Sequence, residues 1–221
     1  MTHRSDPSPA LLARWLAHVG PAVGRRAAAA ALTALARRYH EAARAYHTLE
    51  HVLAVLDTVD RLAPLADDLQ AVRLAAWFHD AIYVPGAEPG HNEARSATYA
   101  RRTLRGLGLP GATVAEVARL IHLTATHRAA PHDANGALLL DADLAILGAP
   151  WPAYKAYAKA IREEYRLVPV EVYAEGRADL LRRFLALPAI YHTGAMHAER
   201  EAAARRNLAR ELAVLEEGER S

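Results

Sequence analysis

The stretch WFHDAIY (77–83) sets a histidine beside an aspartate in an otherwise apolar run. Ionisable side chains are costly to bury unless something pairs with them, so His79 and Asp80 need a partner. Laid on a helix, Val72, Ala76, His79 and Tyr83 fall on one line and Leu69, Ala76 and Asp80 on the adjoining line. The pair then sits at the edge of a buried stripe. Neighbouring side chains on a helix diverge by about 100°, yet both can converge on one ion near that edge.

The pattern recurs along the chain. In YHTLEHVLAVLDTV, His47 and His51 lie four apart on one helical face, which Val55, Val59 and Leu62 continue. In GALLLDADLAILG, Asp141 and Asp143 interrupt a run of leucines, and Asp143 shares a face with Leu139, Leu140, Ile146 and Leu147. Glu93 lines up with Ala97, Ala100 and Leu104, and His127 with Val117, Leu120 and Thr124. Taken singly, each has a plain structural reading, as a hydrogen-bonded core histidine, a helix cap or the partner of an arginine. Taken together, several desolvated acids and imidazoles on five helices call for a common neutraliser, and a divalent cation is the economical one. Oxygen and imidazole ligands without sulfur favour Mn, Fe, Co, Ni, Zn or Mg.

The elements that must position these residues read as helices throughout. Alanine, leucine and arginine are strong helix formers and dominate the sequence. The periodicity predicts helices at about 8–19, 22–44, 48–62, 66–82, 92–107, 112–128, 136–147, 151–165, 169–186 and 196–216. Gly20-Pro21, Pro64, VPGAEPG (84–90), GLGLPG (106–111), Pro131 and 148–152 punctuate them. GLGLPG has the spacing of a dinucleotide fingerprint but follows a helical pattern rather than a strand, so a helix end and turn is expected there. No segment alternates as a strand, and no linker divides the chain. The expectation is an all-α, single-domain helical bundle over 1–221, with a core from about 46 to 212 and N-terminal helices (8–44) packed on it.

Composition narrows the function further. The 221 residues contain no cysteine, which excludes disulfides, thiolate metal sites and a cysteine nucleophile and fits a reducing, cytoplasmic setting. The formal net charge is +2 and no block of like charge stands out, so no nucleic-acid partner is indicated. The amino terminus lacks a signal-peptide core, and no apolar run is long enough for a membrane span. The oligomeric state is open, with the C-terminal helix expected to pack within the monomer.

The ordered set His51…His79-Asp80…Asp143 resembles the H…HD…D signature of the HD superfamily of metal-dependent phosphohydrolases, and more narrowly a bacterial group of predicted HD phosphohydrolases. The matching text is YHTLEHV (46–52), FHDAIY (78–83), NEARSA (92–97), LLLDADLAILG (138–148), IREEY (161–165) and ARRNL (204–208). The resemblance implies an HD-type helical fold, a divalent ion on His51, His79, Asp80 and Asp143, and hydrolysis of a small phosphorylated substrate, such as a nucleotide. It prefers Asp143 to Asp141, because the family aspartate usually follows an alanine.

Asp80 would also orient the attacking water. His47 is either a further ligand, a phosphate-binding group or a surface or capping histidine. Some HD proteins place acidic catalytic residues just after the pair, whereas here Ala81, Ile82, Tyr83 and Val84 follow. The nearest candidate for the acid or base is Glu93, which alternatively favours the dipole at a helix start. His127 is a candidate for a second metal, a phosphate contact or proton transfer. Arg162 and Arg205 would clamp phosphate, or else pair with Glu164 and Glu201. Two other classes share these residues: a di-iron oxygenase, drawing extra ligands from His47, His127 or His122, and a non-catalytic metal-containing sensor of a small ligand.

Overall fold

The computed structural model describes residues 7–218. Among them the chain forms α1 (Pro9–Val19), α2 (Arg25–Tyr39), α3 (Leu49–Arg61), α4 (Leu69–Phe78), α5 (His91–Gly106), α6 (Gly111–Leu123), α7 (Ala134–Asp143), α8 (Trp151–Glu164), α9 (Val170–Ala186) and α10 (Gly194–Gly218). Short 3-10 turns occupy Ala63–Leu65 and Leu144–Gly148, and the described residues contain no strand. The class is all-α. GLGLPG is a helix end and turn: α5 stops at Gly106, Gly108 takes a φ of 81°, and Pro110 caps α6.

α4 is the centre of the molecule. From Ala71 to Phe78 every residue except Arg73 is buried, so this helix is apolar nearly all round, as a central helix must be. It packs against α1, α3, α5, α6 and α7. Arg73, on the one polar side, pairs with Asp60 of α3 at 2.7 Å. Asp68 caps the helix by accepting the Ala71 amide at 2.9 Å.

The N-terminal pair α1–α2 is joined to this core by aromatic packing. Trp15 meets Trp77 edge-on at 5.4 Å and Phe78 at 6.0 Å, and its indole donates to the Ala28 carbonyl at 2.9 Å. Trp77 in turn donates to His18 Nδ1 at 2.9 Å, so both buried indole N–H groups are satisfied. α10 closes the other side against α9 and the 144–148 turn. Gly148 is essential there, because a Cβ at that position would lie 2.6 Å from Arg200 Cβ and 2.9 Å from the Arg200 carbonyl oxygen.

Four helices stop short of their expected ends. α2 ends at Tyr39 rather than 44, α4 at Phe78 rather than 82, α6 at Leu123 rather than 128, and α7 passes at Asp143 into a 3-10 turn. In each case the backbone beyond the helix finds partners that periodicity does not reveal. For α6, Thr124 bonds back to the Ile121 carbonyl at 2.7 Å and the chain turns. For α4, the Asp80 and Ala81 carbonyls accept from Arg44 at 2.8 and 3.2 Å, while Ser96 Oγ serves both the amide and the carbonyl of Ile82. Irregular backbone is tolerated in the interior only when it is satisfied in this way.

His18 makes the fold sensitive to acid. Burial, reinforced by Arg73, pushes its pKa down to about 4, below the ordinary value near 6.5. A histidine held neutral contributes stability that is complete above its unfolded pKa and is lost as pH falls from about 6.5 towards 4, a loss of roughly 2 kcal/mol by pH 5. Urea unfolding at pH 7 and pH 5 is expected to show this loss in the parent and a correspondingly smaller one in His18→Gln. Equal slopes would rule out the histidine as its origin.

Candidate metal centre

The site is built from helix ends rather than helix faces. His51 lies in the first turn of α3, His79 is the C-cap of α4, Asp80 follows it, and Asp143 is the last residue of α7. His79 still has helical backbone angles and bonds to the Ala75 carbonyl, so the two consecutive side chains converge at the very end of α4. His47 and His127 lie outside helices: His47 precedes the Thr48 cap of α3, and His127 sits in the turn after α6 with a φ of 51°. The shared helical faces expected for these two are therefore not formed.

Four ligating atoms meet in a small volume. His51 Nε2 and His79 Nε2 are 3.1 Å apart. Asp80 Oδ2 lies 3.1 Å from His79 Nε2 and 3.6 Å from His51 Nε2. Asp143 Oδ1 lies 3.2 Å from His51 Nε2 and 3.4 Å from His79 Nε2. Ions bound at about 2.1 Å separate adjacent ligand atoms by roughly 3.0 Å (octahedral) to 3.4 Å (tetrahedral), a spacing close to that among His51, His79 and Asp80, with Asp143 in reach of both imidazoles. His51, His79 and Asp80 alone form a group that can hold such an ion. His79 Nδ1–H donates to the Ala76 carbonyl at 2.8 Å, which fixes the tautomer with Nε2 free to ligate.

The electrostatics are those of two carboxylates confined with imidazoles. Burial disfavours the charged form of His79, but Asp80 and Asp143 outweigh it and hold the imidazole well above its ordinary pKa. Burial likewise works against both carboxylates, and His79 prevails to keep each below the usual range.

Around it the structure sorts the remaining candidates. His127 Nε2 lies 3.1 Å from Asp143 Oδ2, on the oxygen that faces away from the histidine pair. His47 Nδ1 pairs with Glu164 at 2.6 Å, and its ring stacks on Tyr83 at 4.0 Å. Burial opposes the charge on His47, but Asp80 and Glu164 together raise its pKa. Glu164 also accepts the amides of Ala45, Tyr46 and His47 at 2.8–2.9 Å. Burial pushes this carboxyl up, but His47 outweighs it and brings its pKa down to about 2. Asp141 is fully buried and faces elsewhere: it accepts from the amides of His192 and Thr193 at 2.7 Å and the Thr193 hydroxyl at 2.6 Å.

Three expected residues are not brought to the centre. Arg162 donates to the carbonyls of Tyr165 and Val168. Arg205 donates to those of Leu185, Leu187 and Pro188 and pairs with Glu201 at 2.8 Å. Their donors are spent on loop backbone, so neither clamps a ligand beside the metal ligands. Glu93, half-buried in the first turn of α5, makes no hydrogen bond or ion pair with the cluster. His122 is exposed on α6.

Sequence reasoning missed Arg44 and Arg200 altogether and saw Glu164 only as a partner for an arginine. Arg44 is buried and spans the site, donating to the carbonyls of His47 and Asp80 at 2.9 and 2.8 Å. Arg200 lines a cleft of about 370 Å³ together with Tyr46, Thr48, His51 and Asp143. Its Nη1 donates to the Ala145 carbonyl at 3.2 Å, and its buried Nε has no hydrogen-bond partner. In so arginine-rich a chain no sequence signal marks either residue.

No family model matches the chain, and neither a curated protein nor a solved structure matches it. The likeness to HD phosphohydrolases therefore rests on the residues themselves.

A metal ion at His79 Nε2 would compete there with a proton that the raised pKa strengthens, so any Mn²⁺ or Zn²⁺ affinity is expected to fall as pH drops. Between pH 8 and 6 the loss should be roughly 10- to 100-fold. Calorimetry in buffers of different ionisation enthalpy should detect proton release on binding. Affinity independent of pH would exclude this histidine as a ligand.

Proposed function

We propose that the protein is an HD-type, metal-dependent phosphohydrolase acting on a small phosphorylated compound. The observation that carries the reading is the convergence of His51, His79, Asp80 and Asp143, in the chain order of the signature, beside a cleft that Arg200 and Glu50 also line. These four would hold the ion. When bound, it supplies Lewis-acid polarisation of a phosphoryl oxygen and a lower pKa for the attacking water.

The chain's own groups account for the remaining tasks. Asp80, with one oxygen toward the histidines, orients a water on its free lone pairs. Arg200 stands on the cleft wall with Nη2 on the half-exposed Glu199 at 3.1 Å, and a phosphate oxygen that replaces this partner would give it the task expected of Arg162 or Arg205. His47 is held by Glu164 through Nδ1, which leaves Nε2 to hold or move a proton at the departing oxygen. Arg44 ties the backbone at His47 to that at Asp80, so acid and ligand keep a fixed spacing. For the di-iron reading, His122 is exposed, whereas His127 reaches the ligand set through Asp143 and His47 keeps Nε2 free.

Two measurements test the proposal. His79→Ala and Asp80→Ala should each lose bound metal and all hydrolysis of a nucleotide and sugar-phosphate panel while remaining helical by circular dichroism. Retention of full metal content by both would end the reading, and a parent that binds metal but hydrolyses nothing would leave a sensor. Arg200→Gln should keep its metal yet lose roughly 10- to 100-fold in kcat/KM, the range expected when a charged hydrogen bond is removed. An unchanged kcat/KM would place the phosphate elsewhere.

A further inference from the structure

Tyr83, stacked on His47, lies near Tyr165. Tyr165 lines a second cleft, of about 510 Å³, between the end of α8, α9 and the 84–90 loop. None of the metal-site residues lines it. Its size is that of a small-molecule site, and three independent features suit it to one kind of ligand.

The first is its apolar and aromatic lining. Tyr165 and Tyr173 present tilted rings with centroids 5.8 Å apart, flanked by Val168, Val172 and Leu180. The rim continues this character outward: Val172 is 58% exposed, and its neighbours Val170 and Leu167 are 63% and 90% exposed. Apolar surface gathered beside a concavity marks a place of interaction.

The second is Gly176, in the interior of α9. Glycine is the poorest helix former after proline, and packing does not demand it here, since a Cβ would meet nothing within 4 Å. Its missing side chain leaves the wall of the cleft open. The third is charge. No carboxylate lines the cleft, and Arg183, on the same stripe of α9 as Gly176 and Leu180, has no hydrogen bond or ion pair among the described residues. The neighbouring arginines are committed: Arg177 pairs with Glu211 at 2.8 Å, and Arg162 lies over the Tyr173 ring at 4.7 Å while donating to backbone carbonyls.

We propose that this cleft is a binding site for a small amphipathic organic anion, its ring or short aliphatic body against Tyr165, Tyr173 and Val172 and its anionic group at Arg183. The site does not depend on the metal centre. It adjoins that centre through Tyr83, so a ligand there sits two side chains from His47.

The probe is 8-anilinonaphthalene-1-sulfonate, an aromatic anion that fluoresces when desolvated, titrated into the full-length chain. The parent should bind one equivalent saturably. Gly176→Phe, which fills the cleft, should weaken binding at least about 10-fold, while Gly176→Ala should keep binding and raise the melting temperature. Arg183→Gln should weaken the anion roughly 3-fold and reduce its salt dependence, leaving the uncharged N-phenyl-1-naphthylamine unaffected. Val172→Glu, at an exposed position that the fold does not need, should weaken the anion even if Gly176→Phe fails to fold. His79→Ala, which removes the metal site, should bind the probe as the parent does, so failure here and failure of the hydrolase reading are separable. No saturable binding by the parent, or parent-like binding by both Gly176→Phe and Val172→Glu, overturns the proposal, and anion binding unchanged in Arg183→Gln overturns its charged half.

Discussion

Two aspartates, Asp80 and Asp143, each lie within 3.6 Å of the same two imidazoles in the interior of a helical bundle. Buried negative charge at this density is tolerated only with positive charge among it. Part of that positive charge comes from His79, whose imidazole the two carboxylates hold well above its ordinary pKa. A divalent ion held by His51, His79 and Asp80 would supply more of it. Much of the surrounding structure reads as the means of holding these four groups together against their mutual repulsion.

That holding is done by buried ionic side chains acting on backbone. The four groups come from helix ends, and helix ends leave amides and carbonyls without partners. Glu164 collects three amides of the 45–47 segment, Arg44 takes carbonyls at 47, 80 and 81, and Asp141 takes two amides at 192 and 193. Each of these charges is itself buried, so removing one strands both the charge and the backbone it served. The centre thus rests on a shell of polar contacts rather than on the apolar core, and α4 links the two by ending where the shell begins.

Arginine plays several unlike parts in one small protein. Arg44 is a buried clamp, Arg162 and Arg205 brace loops, Arg200 stands on a cleft wall, and Arg183 is at a cleft rim without a partner among the described residues. A fixed fork of donors explains the bracing roles, since it meets two or three carbonyls at once in a way a lysine ammonium does not.

The sequence by itself determined the helical class, the order and approximate extent of the ten helices, and the residue types that meet at the centre. Those follow from local quantities, namely propensity, periodicity and the cost of burying His79, Asp80 and Asp143 amid leucine and alanine. Tertiary structure decided where α2 and α4 stop, because the partners of the backbone beyond them, such as Glu164 for residues 45–47 and Arg44 and Ser96 for 80–82, lie up to 119 positions away. It also separated Asp143 from Asp141 physically, turned His127 toward the site through a left-handed backbone, and left Arg162, Arg205 and Glu93 outside it. Such outcomes depend on which distant donor reaches which acceptor first, and helical spacing carries no record of that competition.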